Sequence, residues 1–476
     1  MHEQNSDILK RVSELARTEG LWQEGDTVVT AVSGGPDSMA LLHMLAKLAE
    51  LHKLTIVAAH VNHGFREASA GEAETVRRFS EELGLPFEYA VFDLPAYIVE
   101  TGMNAQAAAR SKRYGFLEQT AAKYGASKIA LAHHGDDQAE TVLMRFIRGT
   151  GPGGLAGITM KRSLRNVELI RPLLRMNKLD LLRYCEKHAV PYCIDSSNEQ
   201  RYYFRNKIRM DVLPYLSQYN PRLTESLQHL SEMAHGEDEW MESQTLQQFQ
   251  MIVVQRPEGY ALACKDLTGL HVALQRRLIK LILNYLSQEA DSISYEQIEG
   301  MRAAARPDAP STWQADVHGG IKCVREYDLL RWQRVSAGSD RAAGFSCIVP
   351  EHGELPLPVS GYVLEALGAG DRRVAGDRFE AFFDAAELHY PLTVRSRQPG
   401  DRIQVLGLNG SKKVQDMFVD EKVPPSERDR YPLLADADGR LLWIPGIRRS
   451  AHALVGPQTK HVIGFRLRKA DALDNE

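Results

Sequence analysis

The run Ser33-Gly34-Gly35-Pro36-Asp37-Ser38 constrains this chain more than any other stretch. It follows the β-branched, apolar segment Thr27-Val28-Val29-Thr30-Ala31-Val32. It precedes Met39-Ala40-Leu41-Leu42-His43-Met44-Leu45, which reads as a helix. A strand, a glycine turn and a helix start together present backbone N–H groups to an anion. Gly34 and Gly35 permit positive φ and close approach of the backbone to a ligand. Ser33 and Ser38 add hydroxyl donors, and Asp37 is suited to a divalent cation. G-x-x-x-x-G-K-[ST] is absent, so this is not the ordinary P-loop with its phosphate lysine. Six residues alone also fit a plain βα turn with a helix cap, so the rest of the chain must arbitrate.

A length of 476 residues allows more than one domain. Hydrophobic content of 43% and charged content of 25% are those of an ordinary globular protein. The sequence holds no apolar run of bilayer-spanning length. Its polar, acidic start, Met1 to Asp7, is unlike a signal peptide. The cysteines Cys185, Cys193, Cys264, Cys323 and Cys347 include no C-x-x-C pair, which argues against a disulfide framework. A cytoplasmic protein without a membrane partner is expected. The net charge of −4 hides an asymmetry. Residues 161–210 carry 12 Lys/Arg against 5 Asp/Glu, an excess of seven that leaves −11 for the remainder. A basic segment in an acidic chain points to a polyanionic partner, or to a solvated helix face whose acids lie elsewhere.

The first half alternates strand and helix. Strands are expected at 27–33, 54–62, 87–94 and 128–134, and helices at 37–52, 70–83, 104–124 and 136–148. That rhythm implies a parallel sheet with helices on both faces, with ligands at the carboxyl ends of its strands. After the glycine-rich break at 149–154, helices are expected at 177–188, 223–249 and 274–286. The organisation reads as a catalytic domain over 1–215, a mainly helical middle domain over 216–345, a linker over 346–379 and a small α+β domain over 380–476.

Four further clusters carry chemistry. His60-Val61-Asn62-His63-Gly64-Phe65-Arg66 closes the second strand and is suited to gripping a nucleotide, or simply to capping a solvated strand end. His133-His134-Gly135-Asp136-Asp137-Gln138-Ala139-Glu140-Thr141 places Asp136 and Glu140 on one helical face, with Asp137 in the same first turn. These carboxylates can recognise an ammonium group, hold Mg²⁺ or offset the helix dipole. Zinc is disfavoured, because adjacent strand histidines point to opposite faces. In the alanine-rich helix, Arg110 and Arg113 form an i, i+3 pair; spacing does not separate a phosphate clamp from a surface ion pair. Arg201-Tyr202-Tyr203-Phe204-Arg205-Asn206-Lys207-Ile208-Arg209 interleaves aromatic residues with cations, a composition for phosphate contact and base stacking. Near the C-terminus, Arg395, Arg397 and Arg402 flank a Gly-Pro turn followed by Lys412 and Lys413, which can form a phosphate-binding rim or a solvated loop.

The 33–38 run resembles the PP-motif of N-type ATP pyrophosphatases. With 60–66, 133–141, Asp195-Ser196-Ser197-Asn198 and 205–209 in that order, the chain resembles the tRNA(Ile)-lysidine synthetases. The resemblance reaches Arg395 to Arg402, Lys412-Lys413 and Pro445-Gly446-Ile447-Arg448. It implies an adenine nucleotide alpha hydrolase-like catalytic fold. It also implies adenylation by ATP of C2 of the wobble cytidine in the CAU anticodon of tRNA(Ile). Free L-lysine then attacks to give lysidine, AMP and pyrophosphate, which changes the tRNA's identity from methionine to isoleucine. On that basis Ser33, Gly34, Gly35, Pro36, Asp37, Ser38, His60 and Arg110 bind ATP, and Asp37 holds Mg²⁺. Arg113 assists pyrophosphate departure, and Asp137, with Asp136 and Glu140, receives the lysine ammonium. His133 or a carboxylate is the candidate base. Arg201, Arg205, Asn206 and Arg209, with Arg397, Arg402, Lys412 and Lys413, contact the tRNA. A homodimer is left open. The rivals are a tRNA thiolase, which lacks its cysteine pair here, a glutamine-fed amidotransferase, which lacks a cysteine after Met1, and a non-catalytic RNA-binding protein.

Overall fold

The computed structural model describes residues 8–62, 69–194, 204–287, 293–317, 319–334, 344–358, 361–367, 377–405 and 410–469. The chain divides into two compact units, Met1–Glu242 and Ser243–Glu476. His63 to Arg66, residues 195–198 and Arg201 lie outside the described residues.

In the first unit the β-branched runs form β1 (Thr27–Ala31), β2 (Thr55–Asn62), β3 (Phe87–Val91) and β4 (Lys128–Ala130). A hairpin of β5 (Lys161–Leu164) and β6 (Val167–Ile170) completes a sheet of order β3-β2-β1-β4-β6-β5. Every neighbouring pair is parallel except β5 with β6. Val29 aligns with Val57 on one side and Ile129 on the other. Successive strand residues point to opposite faces. Val28, Ile56, Ala58, Ala130 and Ile170 therefore pack with Leu41, Leu42 and Leu45 of the Pro36–His52 helix. Val29, Val57, Ala59, Ile129 and Leu169 pack with Leu117 and Ala121 of the Ala105–Tyr124 helix. Burial on both faces is why these strands read as unbroken apolar runs. The strand order reverses between β1 and β4, which sets a crevice at their carboxyl ends.

The second unit departs from expectation. Its first part holds the Val272–Leu286 and Tyr295–Ala304 helices, but also five antiparallel strands. These are β7 (Val254–Arg256), β8 (Gly259–Ala263), β9 (Thr312–Val317), β10 (Ile321–Glu326) and β11 (Leu329–Arg334), in the order β7-β8-β11-β10-β9. Leu278, Ile279, Ile282 and Leu283 bury against Ile321, Cys323, Leu330 and Trp332 of this sheet. The mainly helical reading missed it because one face alone is apolar and each run is short and charged. The stretch 346–379 was expected as a linker. It contains strands Ser346–Ile348, Gly353–Pro356 and Tyr362–Leu367. The first pairs with Thr393–Arg395 and the last with Val462–Lys469, so a boundary at 380 would cut through paired strands. Gly353 at φ +98° and Pro356 lend the segment its linker-like composition.

Behind the 33–38 turn, His43 is buried and its Nδ1 lies 2.8 Å from the Tyr184 hydroxyl. Burial, then Lys47 and His188, push its pKa down to about 4. A depressed folded pKa means that the unfolded chain binds the proton more tightly between about pH 6.5 and 4. Stability conferred by neutral His43 is therefore present above pH 6.5 and lost as pH falls through 4. In thermal melts across that window, His43→Gln should reduce the pH slope by up to one proton, about 1.4 kcal/mol per pH unit. An unchanged slope would contradict this assignment.

Candidate active site at the carboxyl edge of the parallel sheet

The turn after β1 is self-organised. Gly34 has φ +88°, where a side chain would be strained. The Ser38 hydroxyl donates to Gly35 O at 2.9 Å and accepts from Ser33 N at 3.1 Å, and Ser33 Oγ lies 3.1 Å from Ser38 Oγ. Gly34 O accepts from Cys193 N at 2.9 Å, which ties the turn to the segment beyond the Lys178–Lys187 helix. Pro36 and Asp37 open the Pro36–His52 helix. On β2, His60 is buried, with Nδ1 2.8 Å from Val32 O and its ring stacked on Tyr89 at 5.8 Å. Burial lowers its pKa. Its Nε2 has no partner among the described residues, and neither does Thr30 Oγ1 on β1.

Beyond β4, His134 caps the Gly135–Arg148 helix. Its Nδ1 accepts from Asp136 N at 3.2 Å, while Asp137 Oδ2 accepts from His134 N at 3.1 Å. Burial opposes the imidazolium, but Asp136, Asp37 and Asp137 outweigh it and hold His134 at about 9. A proton on Nδ1 costs the cap its acceptor, and carboxylates around the ring outweigh one 3.2 Å bond. His133 behaves oppositely. Burial drives it down to about 4, and its Nδ1 has no partner among the described residues. Gly135 is required by crowding, since a Cβ there would lie 3.1 Å from Met176 O and 1.8 Å from Gln228 Nε2.

The carboxylates are held by cations. Arg205 reaches Glu140 Oε2 at 2.7 Å through Nε and Asp137 Oδ1 at 2.8 Å through Nη2. Arg209, one turn on and within the π-helical turn Ile208–Val212, reaches Glu140 Oε2 at 3.1 Å and Asp137 Oδ1 at 3.4 Å. Glu140 is 1% exposed. Lys178 Nζ sits 2.6 Å from both oxygens of Asp37, and its backbone N–H donates to Asp136 Oδ2 at 2.8 Å. Burial would raise the Asp37 pKa, but His134 and Lys178 hold it below its usual value.

The structure thus gathers the 33–38 turn, His60, His133, Asp136, Asp137, Glu140, Arg205 and Arg209 at one sheet edge. Asn206 is half-buried between the two arginines. Arg110 and Arg113 are exposed on the first half of the Ala105–Tyr124 helix, with Arg110 stacked 4.8 Å over Tyr114. In the second unit, Arg397 binds Asp429 at 2.9 Å and Gln415 at 2.7 Å. Arg402 donates to Ser411 O at 2.7 Å, Lys412 pairs with Asp420, and Lys413 is exposed. Sequence reasoning missed Lys178, the ionised His134 and Arg171. Arg171, buried just past β6, donates to Thr159 O at 2.6 Å and has an unpartnered Nε among the described residues. The basic excess of 161–210 was the available signal for Lys178 and Arg171. Asp37 suits Mg²⁺, which binds through one or two carboxylates with phosphates completing its shell. Among the described residues no group of three His, Cys, Asp or Glu is arranged to hold a metal alone.

A PP-loop domain profile matches residues 4–216, a TilS substrate binding domain residues 262–331, and a TilS substrate C-terminal domain residues 392–467. The tRNA(Ile)-lysidine synthase of Bacillus subtilis (strain 168) is 35% identical over 472 residues, 96% of this chain and 97% of that protein. That of Geobacillus kaustophilus (strain HTA426) is 36% identical over 450 residues, 93% of this chain and 96% of that protein. A crystal structure of a TILS C-terminal domain is 35% identical, with a TM-score of 0.26, over 27% of this chain and 100% of that one. With near-complete coverage at this identity and three domain profiles along one chain, the chain belongs to the tRNA(Ile)-lysidine synthases, ATP-using ligases built on a PP-loop domain.

Proposed function

We propose that this chain adenylates the C2 oxygen of the wobble cytidine in the CAU anticodon of tRNA(Ile). It then joins free L-lysine to that carbon through the ε-amine. One observation carries the reading: a phosphate-shaped turn and a carboxylate pair converge at the carboxyl ends of adjacent strands β1 and β4. The first suits ATP, the second an ammonium.

In the first step the C2 oxygen bonds to the α-phosphorus, and the bond to the β-phosphate bridge breaks, leaving its electron pair on pyrophosphate. Ser33, Gly34, Gly35 and Ser38 cradle the phosphates through backbone N–H and hydroxyl groups, while Pro36, which has no N–H, fixes the start of the helix behind them. Neutral His60, whose Nδ1–H donates to Val32 O, offers its unpartnered Nε2 as an acceptor to a hydroxyl or amine of the nucleotide rather than to phosphate, and Arg110 and Arg113 add positive charge at the rim. Asp37 holds Mg²⁺, which when bound neutralises phosphate oxygens. In the second step the lysine ε-ammonium first gives one proton to solvent and becomes the nucleophilic amine; nitrogen then bonds to C2, AMP leaves with the C2 oxygen, and nitrogen loses a second proton. Asp137 and Glu140, with Asp136 alongside, receive the lysine ammonium as Arg205 and Arg209 release them. The freed guanidiniums, with Asn206, turn to the anticodon backbone. Arg201 belongs to the same basic run. Neutral His133 is the base. Its low pKa suits a proton that departs after the carbon–nitrogen bond has formed, when the nitrogen has become acidic. In the second unit, Arg397, Arg402, Lys412 and Lys413 contact tRNA phosphates.

Thiolation is disfavoured because the chain has no C-x-x-C pair, and the thiol that faces the Pro36 carbonyl is a poor sulfur carrier. Cys185, 3.5 Å from Pro36 O, is pushed up to about 11 by burial, so it is not a thiolate at neutral pH.

The reading is tested by mass spectrometry of anticodon nucleosides after incubation with ATP, lysine and the tRNA(Ile) transcript. Lysidine that requires both small molecules supports it, and unmodified cytidine overturns it. Asp137→Asn should raise KM for lysine by about tenfold or more, the worth of one charge-assisted hydrogen bond. KM for ATP should move far less; equal changes in both would remove Asp137 from the lysine pocket. Lys413→Ala should lower the salt slope of tRNA binding by about 1 without changing ATP affinity. A slope identical to wild type would exclude a phosphate contact.

A further inference from the structure

The turn after β1 carries no lysine of its own, yet a lysine is present at it. Lys178 comes from a helix 141 residues away in sequence and places Nζ symmetrically, 2.6 Å from each oxygen of Asp37. It is the first residue of the Lys178–Lys187 helix. A helix N-terminus is electrostatically the poorest place for a cation. The position is held by Asp37 at the ammonium and by Asp136 at the backbone N–H. The Lys178 side chain is 37% exposed, so it can change partners. Asp37 lies inside the turn, so an ammonium bound to it already stands at the edge of the phosphate cradle.

We propose that Lys178 is the phosphate lysine of this site: it neutralises Asp37 until a divalent cation takes that carboxylate, and its ammonium then stabilises the departing pyrophosphate. The inference rests on the function proposed above. Lys178 stays protonated throughout and contributes charge alone, while the electron pair of the broken phosphorus–oxygen bond remains on pyrophosphate. It is the counterpart, supplied from another element, of the lysine that an ordinary P-loop carries within its own turn.

The test uses the full chain and readouts besides activity. Mn²⁺ binding without nucleotide, followed by electron paramagnetic resonance, should tighten about tenfold in Lys178→Gln, because a competing cation is gone. With saturating ATP, Mg²⁺ and tRNA, pyrophosphate release should fall about 10²-fold. Lys178→Arg should recover most of that loss. In the wild type, amine-reactive labelling of Lys178 should rise with Mn²⁺ alone and fall with Mg²⁺ and a non-hydrolysable ATP analogue. This measurement needs no variant to fold. Unchanged Mn²⁺ affinity, unchanged release, or labelling indifferent to metal and nucleotide would each overturn the proposal. A wild type that releases no pyrophosphate counts against the function; normal wild-type release with an unaffected Lys178→Gln counts against Lys178 alone.

Discussion

Crowded negative charge is the constraint on which the site depends. Asp37 opens one helix; Asp136, Asp137 and Glu140 lie in the first turns of another. Glu140 is 1% exposed, and an isolated ionised carboxylate at such depth would take up a proton rather than stay charged. Lys178, His134, Arg205 and Arg209 supply the compensating charge. Helix N-termini help the carboxylates and oppose the cations. The arrangement therefore holds only because each cation is pinned by geometry, with Arg205 and Arg209 one helical turn apart and both reaching the same two acids.

These groups meet because of chain topology. Parallel strands joined by right-handed crossovers return every loop to the same edge. The turns after β1 and β4 become neighbours where the strand order reverses, although about a hundred residues separate them. The crevice at that reversal and the acidic cluster thus lie at the same sheet edge.

Much of the first unit was legible. Strands buried on both faces leave continuous β-branched runs, and Gly34, Gly102 and Gly125 punctuate them, so β1, β2 and the helices at 37–52, 70–83, 104–124 and 136–148 fall close to their expected positions; β4 instead ends at Ala130, which leaves His133 and His134 off the strand on which they were expected, and the Leu94–Thr101 helix was not anticipated. The β5–β6 hairpin was not legible, because Lys161-Arg162-Ser163 is an exposed edge with no apolar face. The strands of the second unit were hidden for a related reason: β10 buries Ile321 and Cys323 but alternates them with Lys322. For the site, residue types were readable and pairings were not. Asp137 and Arg205 each stood out, but nothing local joins partners 68 residues apart. Lys178 is one charge among the twelve Lys/Arg of the basic segment 161–210. Its meaning lies wholly in a contact with Asp37.

The internal ion pairs also bear on how ligands are selected. Each proposed ligand charge takes the place of a charge the protein already provides: a divalent cation that of Lys178, and the lysine ammonium that of Arg205 and Arg209. The exchanges are of like sign but not charge for charge: a divalent ion replaces the single ammonium at Asp37, and one ammonium replaces the two guanidiniums at Asp137 and Glu140. A neutral ligand in the same place would displace a guanidinium and leave Glu140 unpaired at depth, which is strongly unfavourable. On the proposed reading, displaced Lys178 passes to the pyrophosphate, and the displaced guanidiniums become available to the polyanionic partner. Discrimination for a cationic amine, and coupling of its arrival to a grip on tRNA phosphates, are then two consequences of one electrostatic balance rather than two separate devices.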